Sequence, residues 1–242
     1  MIPDKMIHAF VCRLQQAAGP NLQSIILYGS AASDTFDPEL SNVNLLCILK
    51  DAAFPSLRSL SPVMDWWSRQ KQVAPLIMSR EELTRSTDVF TIEFLDMKRH
   101  HRVLFGDDVL QSLAIPMQLH RIQVEYELRE KLLLLRQNIL LAANDKKKLW
   151  ELLLGSVASF TTLFRHALIA IGDETTVSKR EAIAKLAERV LFDPQAFLQV
   201  LDVREHKLER KQLDVEQVCA AYLAAVEQVT AAVDKMLDST VQ

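Results

Sequence analysis

The stretch that most constrains this chain runs from Ser24 to Lys50, SIILYGSAASDTFDPELSNVNLLCILK. Ser24 to Tyr28 is a short apolar run with two Ile, closed by a Gly, which is the pattern of a buried strand. Gly29-Ser30 breaks it. Gly allows φ > 0 and close backbone approach, and Ser adds a hydroxyl and an N–H, a set suited to cradling phosphate. Asp34, Asp37 and Pro38 follow with loop chemistry. Val43 to Leu49 is a second apolar run, entered through Asn42 and Asn44. Strand alternation puts Asn42 and Asn44 on one face, beside the Gly-Ser turn.

A chain of 242 residues has room for one large or two modest domains. Apolar residues make up 49% and only five residues are Gly, which favours a helix-rich globular protein. The net charge of −3 does not indicate a broad nucleic-acid surface. Cys12, Cys47 and Cys219 stand far apart inside apolar patterns, so they read as buried free thiols of a reducing compartment, the cytoplasm. The N-terminus has no long apolar core of a signal peptide. No uninterrupted apolar run is long enough to span a bilayer, and Leu132 to Leu135, flanked by charges, marks an amphipathic helix.

The first half mixes helix and strand signals. Met6, Ile7, Phe10, Val11 and Leu14 predict a helix over 4–18, between an Asp4 cap and Gly19. Asp51 to Ser59 reads as a linker, and Ser61-Pro62 as the start of a helix through Trp66 and Trp67. Val73 to Met78 reads as a third strand, and Ser79-Arg80-Glu81-Glu82 as a capping box. Val89 to Met97 reads as a strand, or as a strand passing into a helix. Glu93 inside that run is costly to bury unless paired or facing a cleft. Pairing with Arg99 or Arg102 and a role as an acidic site group are both open. Arg99-His100-His101-Arg102 reads as a basic edge, and the adjacent histidines, pointing to opposite faces, are not joint metal ligands.

Beyond Ile115-Pro116 the pattern is helical to the end. Leu119, Ile122, Tyr126, Leu133, Gln137 and Leu140 mark one side of a long helix to about Asn144. Leu149 to Ile171 is a second, interrupted at Gly155-Ser156, which permits close helix approach. The Lys146–Lys148 run reads as a solvated corner. Ser178-Lys179-Arg180-Glu181 is a capping box, Asp193-Pro194 starts another helix, and Asp214 with Gln217 caps the last. The final stripe runs from Val215 through Tyr222 to Leu237. Arg165 and His166 read as a boundary pair with wet tips. The fold class is therefore α+β, an N-terminal mixed sheet with flanking helices over 1–115 and a C-terminal all-α up-and-down bundle over 116–242.

An apolar strand ending in Tyr-Gly-Ser, followed after about a dozen residues by a second apolar strand at whose start an acid-x-acid pair is expected, resembles the nucleotidyltransferase (polymerase β-like) superfamily. The two-domain layout and the Ser-Lys-Arg-Glu segment resemble its bacterial, kanamycin-type aminoglycoside nucleotidyltransferases. The resemblance implies that Gly29 and Ser30 hold the phosphates of a nucleoside triphosphate. It also implies that a pair of carboxylates holds Mg²⁺, which bridges those phosphates. Here Asn42 and Asn44 fall where that pair belongs, and no acid occupies Ala74, Pro75 or Leu76 on the third strand. Glu93 is the candidate for a surviving acidic group. The metal ligands stay unassigned. Three functions follow: transfer of a nucleoside monophosphate to a hydroxyl of a small molecule or protein, impaired by the Asn pair; nucleotide binding by a regulatory protein without turnover; or an interaction module whose bundle binds a partner chain or a second copy.

Overall fold

The computed structural model describes residues 4–32, 42–173 and 178–238, with side chains described as far as Lys235. Asp34, Asp37 and Pro38 lie outside them, as do the side chains of Met236 and Leu237. The chain is an α+β protein and divides into two compact units, Met1–Pro116 and Met117–Gln242.

In the first unit, helix α1 (Asp4–Ala18) leads into strand β1 (Leu22–Tyr28), and β2 (Asn44–Leu49) returns beside it. Helix α2 (Phe54–Arg69), β3 (Leu76–Ser79), α3 (Arg80–Arg85), α4 (Thr91–Arg99) and β4 (His101–Gly106) complete it. Among the described residues the sheet order is β3-β2-β1-β4. β1 is antiparallel to both β2 and β4, and β2 is parallel to β3. Alternation sorts the side chains. Ile25, Leu27 and Leu45 pack with Phe10 and Leu14 of α1 and Trp67 of α2. Ile26, Leu46 and Ile48 pack on the opposite side with Leu83, Phe94 and Met97. A sheet buried on both faces explains why its central strands read as continuous apolar runs.

Three segments differ from the sequence expectation. Residues 51–59 are not a linker, because α2 already starts at Phe54. Asp51 Oδ1 accepts from Ala53 N at 2.9 Å, and Pro55 sits in the first turn where its missing N–H costs nothing. Pro62 lies inside that helix. The Arg58 carbonyl it cannot bond accepts instead from Ser61 Oγ at 2.9 Å. β3 begins three residues later than Val73, whose carbonyl is occupied by Trp67 Nε1 at 2.8 Å. Val89 to Met97 forms no strand. Thr91, Phe94 and Met97 are buried at helical spacing in α4. Of the three thiols, Cys47 and Cys219 are buried and Cys12 is only half-buried.

The second unit is a helical bundle of α5 (Met117–Ala142), α6 (Lys146–Ala170), α7 (Lys179–Val190), α8 (Gln195–Arg204) and α9 (Val215–Asp238). Its centre is aromatic. Phe197 stacks on Tyr222 with ring centroids 4.0 Å apart, and Phe164 approaches Phe197 at 4.7 Å. Each such buried ring contributes about 1.5–3 kcal/mol by burial alone. Gly155 and Ser156 do not break α6. Ser156 Oγ donates to Leu153 O and lies 3.1 Å from Tyr222 OH, so the phenol is the donor of that pair. A Cβ built on Gly155 would meet no neighbouring helix within 4 Å among the described residues, so the glycine is not needed for a close approach there. α6 has the length and apolarity of a membrane span, with 56% of that stretch buried in the bundle.

The face of α5 is the largest departure. His120, Val124, Leu128, Leu132 and Leu135 point inward, whereas Leu119, Ile122, Tyr126, Leu133 and Leu140, the side that the sequence marks, are exposed. The helix is apolar on both sides, so spacing alone does not select the inward one. His166 is likewise no boundary residue. It is buried, with Nδ1 2.9 Å from His120 Nε2. Such a bond needs a proton on one ring nitrogen and none on the other.

Gly106 tests the sheet most sharply. Its φ is +74°, it pairs with Ser24, and a Cβ there would meet Gln23 O at 1.9 Å. Gly106→Ala is expected to cost about 3 kcal/mol or more, because backbone must move. Urea denaturation checks this, and a loss below about 1 kcal/mol would contradict the pairing of β1 with β4.

Candidate functional site

The candidate site forms where β1 ends. Tyr28, its last residue, pairs with Asn44 of β2 on one side and His101 of β4 on the other. Gly29 follows at φ +75°, a conformation that L side chains rarely adopt. Its N–H donates to His100 O at 3.1 Å, which ties the turn to the start of β4. Ser30 continues into a single tight helical turn over Gly29–Ala32 and is half-buried.

The structure brings one of the predicted polar residues against this turn. A Cβ built on Gly29 would lie 3.3 Å from Asn44 Nδ2, so the Asn44 carboxamide sits over the glycine. Val43 is buried, and its N–H donates to Gln72 Oε1 at 3.4 Å. Asn42 is exposed, before the strand begins. Glu93 is exposed on the first turn of α4, in a segment that is helical from Thr91 and includes no strand.

The surroundings of the turn are neutral within the sheet and basic at its edge. Burial pushes the Cys47 thiol up to about 12, and burial with Cys47 nearby also raises the Tyr28 hydroxyl. Both stay protonated at neutral pH, so neither serves as a base. His101 is held by Asp108, 3.0 Å away, and by Lys98 O at 3.1 Å. Burial alone would raise the Asp108 carboxyl. Hydrogen bonds from His101 and from the Gln111 and Leu110 N–H groups outweigh it and hold the group low. Arg102 reaches Asp4 at 3.2 Å. Among the described residues no group of three or more His, Cys, Asp and Glu is placed to hold a metal ion.

The second unit carries a cationic cluster that sequence reasoning did not assemble. Lys179, the first residue of α7, is half-buried. Burial lowers its ammonium pKa, as do the charges of Arg204 and Arg165, against the opposing charge of Glu205. Arg204 Nη1 donates to Leu154 O at 3.1 Å, and Arg180 bridges Asp202 and Glu205 at 2.7 Å each. The sequence offered the Ser178–Glu181 capping box, which does form. It did not show that Arg165 and Arg204, 39 positions apart, converge on Lys179.

No family model matches the sequence, and no curated protein matches it either. Among solved structures, spectinomycin adenyltransferase AAD(9) of Enterococcus faecialis, solved with ATP and spectinomycin, aligns at TM-score 0.60. The alignment covers 93% of this chain and 98% of that one, at 15% identity. The fold is that of a nucleotidyltransferase. A nucleotidyltransferase-like protein from Exiguobacterium sibiricum covers 94% of this chain and 75% of its own at 15% identity, with a TM-score of 0.38, too low to bear on the fold. In this nucleotidyltransferase fold the sheet and the bundle are both present, and the likeness is one of architecture.

The position of Asn44 over Gly29 is testable by a double-mutant cycle. Gly29→Ala is expected to destabilise by about 1–2 kcal/mol through its positive φ and the crowded amide. In an Asn44→Ala background the cost should shrink by roughly 0.5 kcal/mol or more. Equal costs in both backgrounds, measured by chemical denaturation, would mean that the two residues do not touch.

Proposed function

We propose that this chain binds a nucleoside triphosphate at the Gly29–Ser30 turn and is impaired as a nucleotidyltransferase. The reaction in question passes a nucleoside monophosphate from the triphosphate to a hydroxyl of a small molecule or a protein. The observation that carries this reading is the Asn44 carboxamide lying over Gly29. A neutral amide can donate to a phosphate oxygen, and the turn adds the Ser30 hydroxyl. The basic segment Arg99 to Arg102 runs beside the turn, through the Gly29–His100 bond and the Tyr28–His101 pair.

The same residue argues against efficient transfer. Mg²⁺ prefers charged carboxylate oxygens, and Asn42 and Asn44 bring none. The described residues do not fit a Mg²⁺ site. Where a divalent ion stabilises transferring phosphates, its loss removes several kcal/mol of transition-state stabilisation. Glu93, on α4, is the carboxylate left among the proposed site residues Asn42, Asn44 and Glu93. The first unit, 1–115, is the proposed nucleotide-binding domain of a cytoplasmic protein. The alternative is a regulatory protein that binds nucleotide without turnover, with the bundle engaging another chain. The exposed apolar row of α5 favours a partner for the bundle.

Substitution separates these roles. Asn42→Asp with Asn44→Asp should create Mg²⁺-dependent nucleotide binding, tightening the complex about tenfold or more, equivalent to ~1.4 kcal/mol. Ser30→Trp should abolish binding by filling the turn. Equilibrium dialysis with labelled ATP reads both. An unchanged affinity in the Asp variant would overturn the assignment of the Asn pair, and an unchanged affinity in Ser30→Trp would overturn the cradle.

A further inference from the structure

Helix α5 presents two opposite apolar sides. The inward side, with Val124, Leu128 and Leu132, is buried in the bundle. The outward side carries Leu119, Tyr126, Leu133 and Leu140, spaced seven residues apart, with 37%, 62%, 57% and 81% of their surface exposed. Ile122 and Leu141, at 61% and 80%, widen the row. An apolar stripe on a helix is normally covered, and α5 carries two, of which the bundle covers one. A seven-residue apolar repeat is the seam by which one helix lies along another, kept in contact by a left-handed supercoil.

The order of residues along the row says which helix fits. Reversing the row about the Arg129–Glu130 peptide bond exchanges Leu119 with Leu140, Tyr126 with Leu133, and Arg129 with Glu130. The four-residue row maps onto itself in this way, with opposite charges exchanged at its centre, as a two-fold interface requires, while Ile122 and Leu141 at its margins map onto Gln137 and Gln118. A foreign partner would place no such demand on the row. Arg129 is already positioned by Glu125 at 2.8 Å through Nε and by Asp234 at 2.6 Å through Nη2. A guanidinium has five N–H donors, which leaves capacity for a further carboxylate.

We propose that this face of α5 binds a second copy of the chain, the two α5 helices running antiparallel. Leu119 of one copy faces Leu140 of the other, Tyr126 faces Leu133, and Arg129 faces Glu130 twice across the axis. The proposal does not depend on nucleotide binding.

Sedimentation equilibrium of the full chain tests it. The unaltered chain is expected to be dimeric at about 100 µM, and Leu133→Glu monomeric with its helical circular dichroism intact. Glu130→Arg should weaken association about tenfold or more by setting Arg against Arg. Arg129→Glu combined with Glu130→Arg should restore it to within roughly threefold, because the central pairs re-form with their signs exchanged. A monomeric unaltered chain at about 100 µM overturns the proposal. If Leu133→Glu also lowered that monomer's thermal stability, the chain itself would cover the row. A dimer that survives Leu133→Glu, or a double variant no tighter than Glu130→Arg, also overturns it.

Discussion

The candidate site depends on the way β1 ends. Its side chains are held in apolar layers on both faces, and its backbone is paired along both edges. Such a strand has no freedom to shift its register without moving every buried side chain to the wrong face. Gly29 then turns the chain at a positive φ and gives its N–H to His100 O, so that the turn, β2 and β4 are fixed to one point. Asn44 lies over the turn because its partner across the ladder is Tyr28. One turn geometry thus fixes both the backbone for a phosphate and the side chain that faces it.

What that side chain is decides the chemistry. A carboxylate at Asn44 would bring charge to a place whose buried neighbours, Tyr28 and Cys47, stay neutral. An ion pairing with such a carboxylate is the device by which a metal enters phosphoryl chemistry. A carboxamide costs less to keep beside an apolar sheet, and it can still donate to an oxyanion. Phosphate recognition can therefore survive where metal-assisted transfer does not, which is the division of roles proposed for this chain.

Much of the fold was legible because its elements carry local chemistry. The capping boxes at Ser79 and Ser178 form as the spacing requires, with Ser79 N donating to Glu82 Oε2 at 2.6 Å and Ser178 N to Glu181 Oε2 at 2.7 Å. The Gly29 turn and the two strands around it are equally local. The misreadings at Pro62 and His166 have causes that lie outside local spacing. Pro62 reads as a helix start in the sequence, because the rescue of the Arg58 carbonyl by Ser61 is visible only in three dimensions. The sequence marks one side of α5 without fixing which side turns inward, because both are apolar and only packing chooses between them. His166 was assigned to the surface because its partner, His120, stands on another helix. At the site, Asn44 was placed beside the turn by strand alternation. Glu93 stands on a helix, because a run as short as Val89 to Met97 reads as strand or as strand passing into helix until Thr91, Phe94 and Met97 are seen buried on one side.

The most direct test of the central claim is a calorimetric titration of the unaltered chain with ATP, once in Mg²⁺ and once in EDTA. If the Gly29–Ser30 turn and Asn44 recognise phosphate without a metal, binding will appear in both, with dissociation constants within about threefold of each other. Binding that appears only with Mg²⁺ would contradict the account, because it would require carboxylate ligands that Asn42 and Asn44 do not supply. No binding in either condition would contradict it as well, and would leave the turn as a structural feature of the sheet.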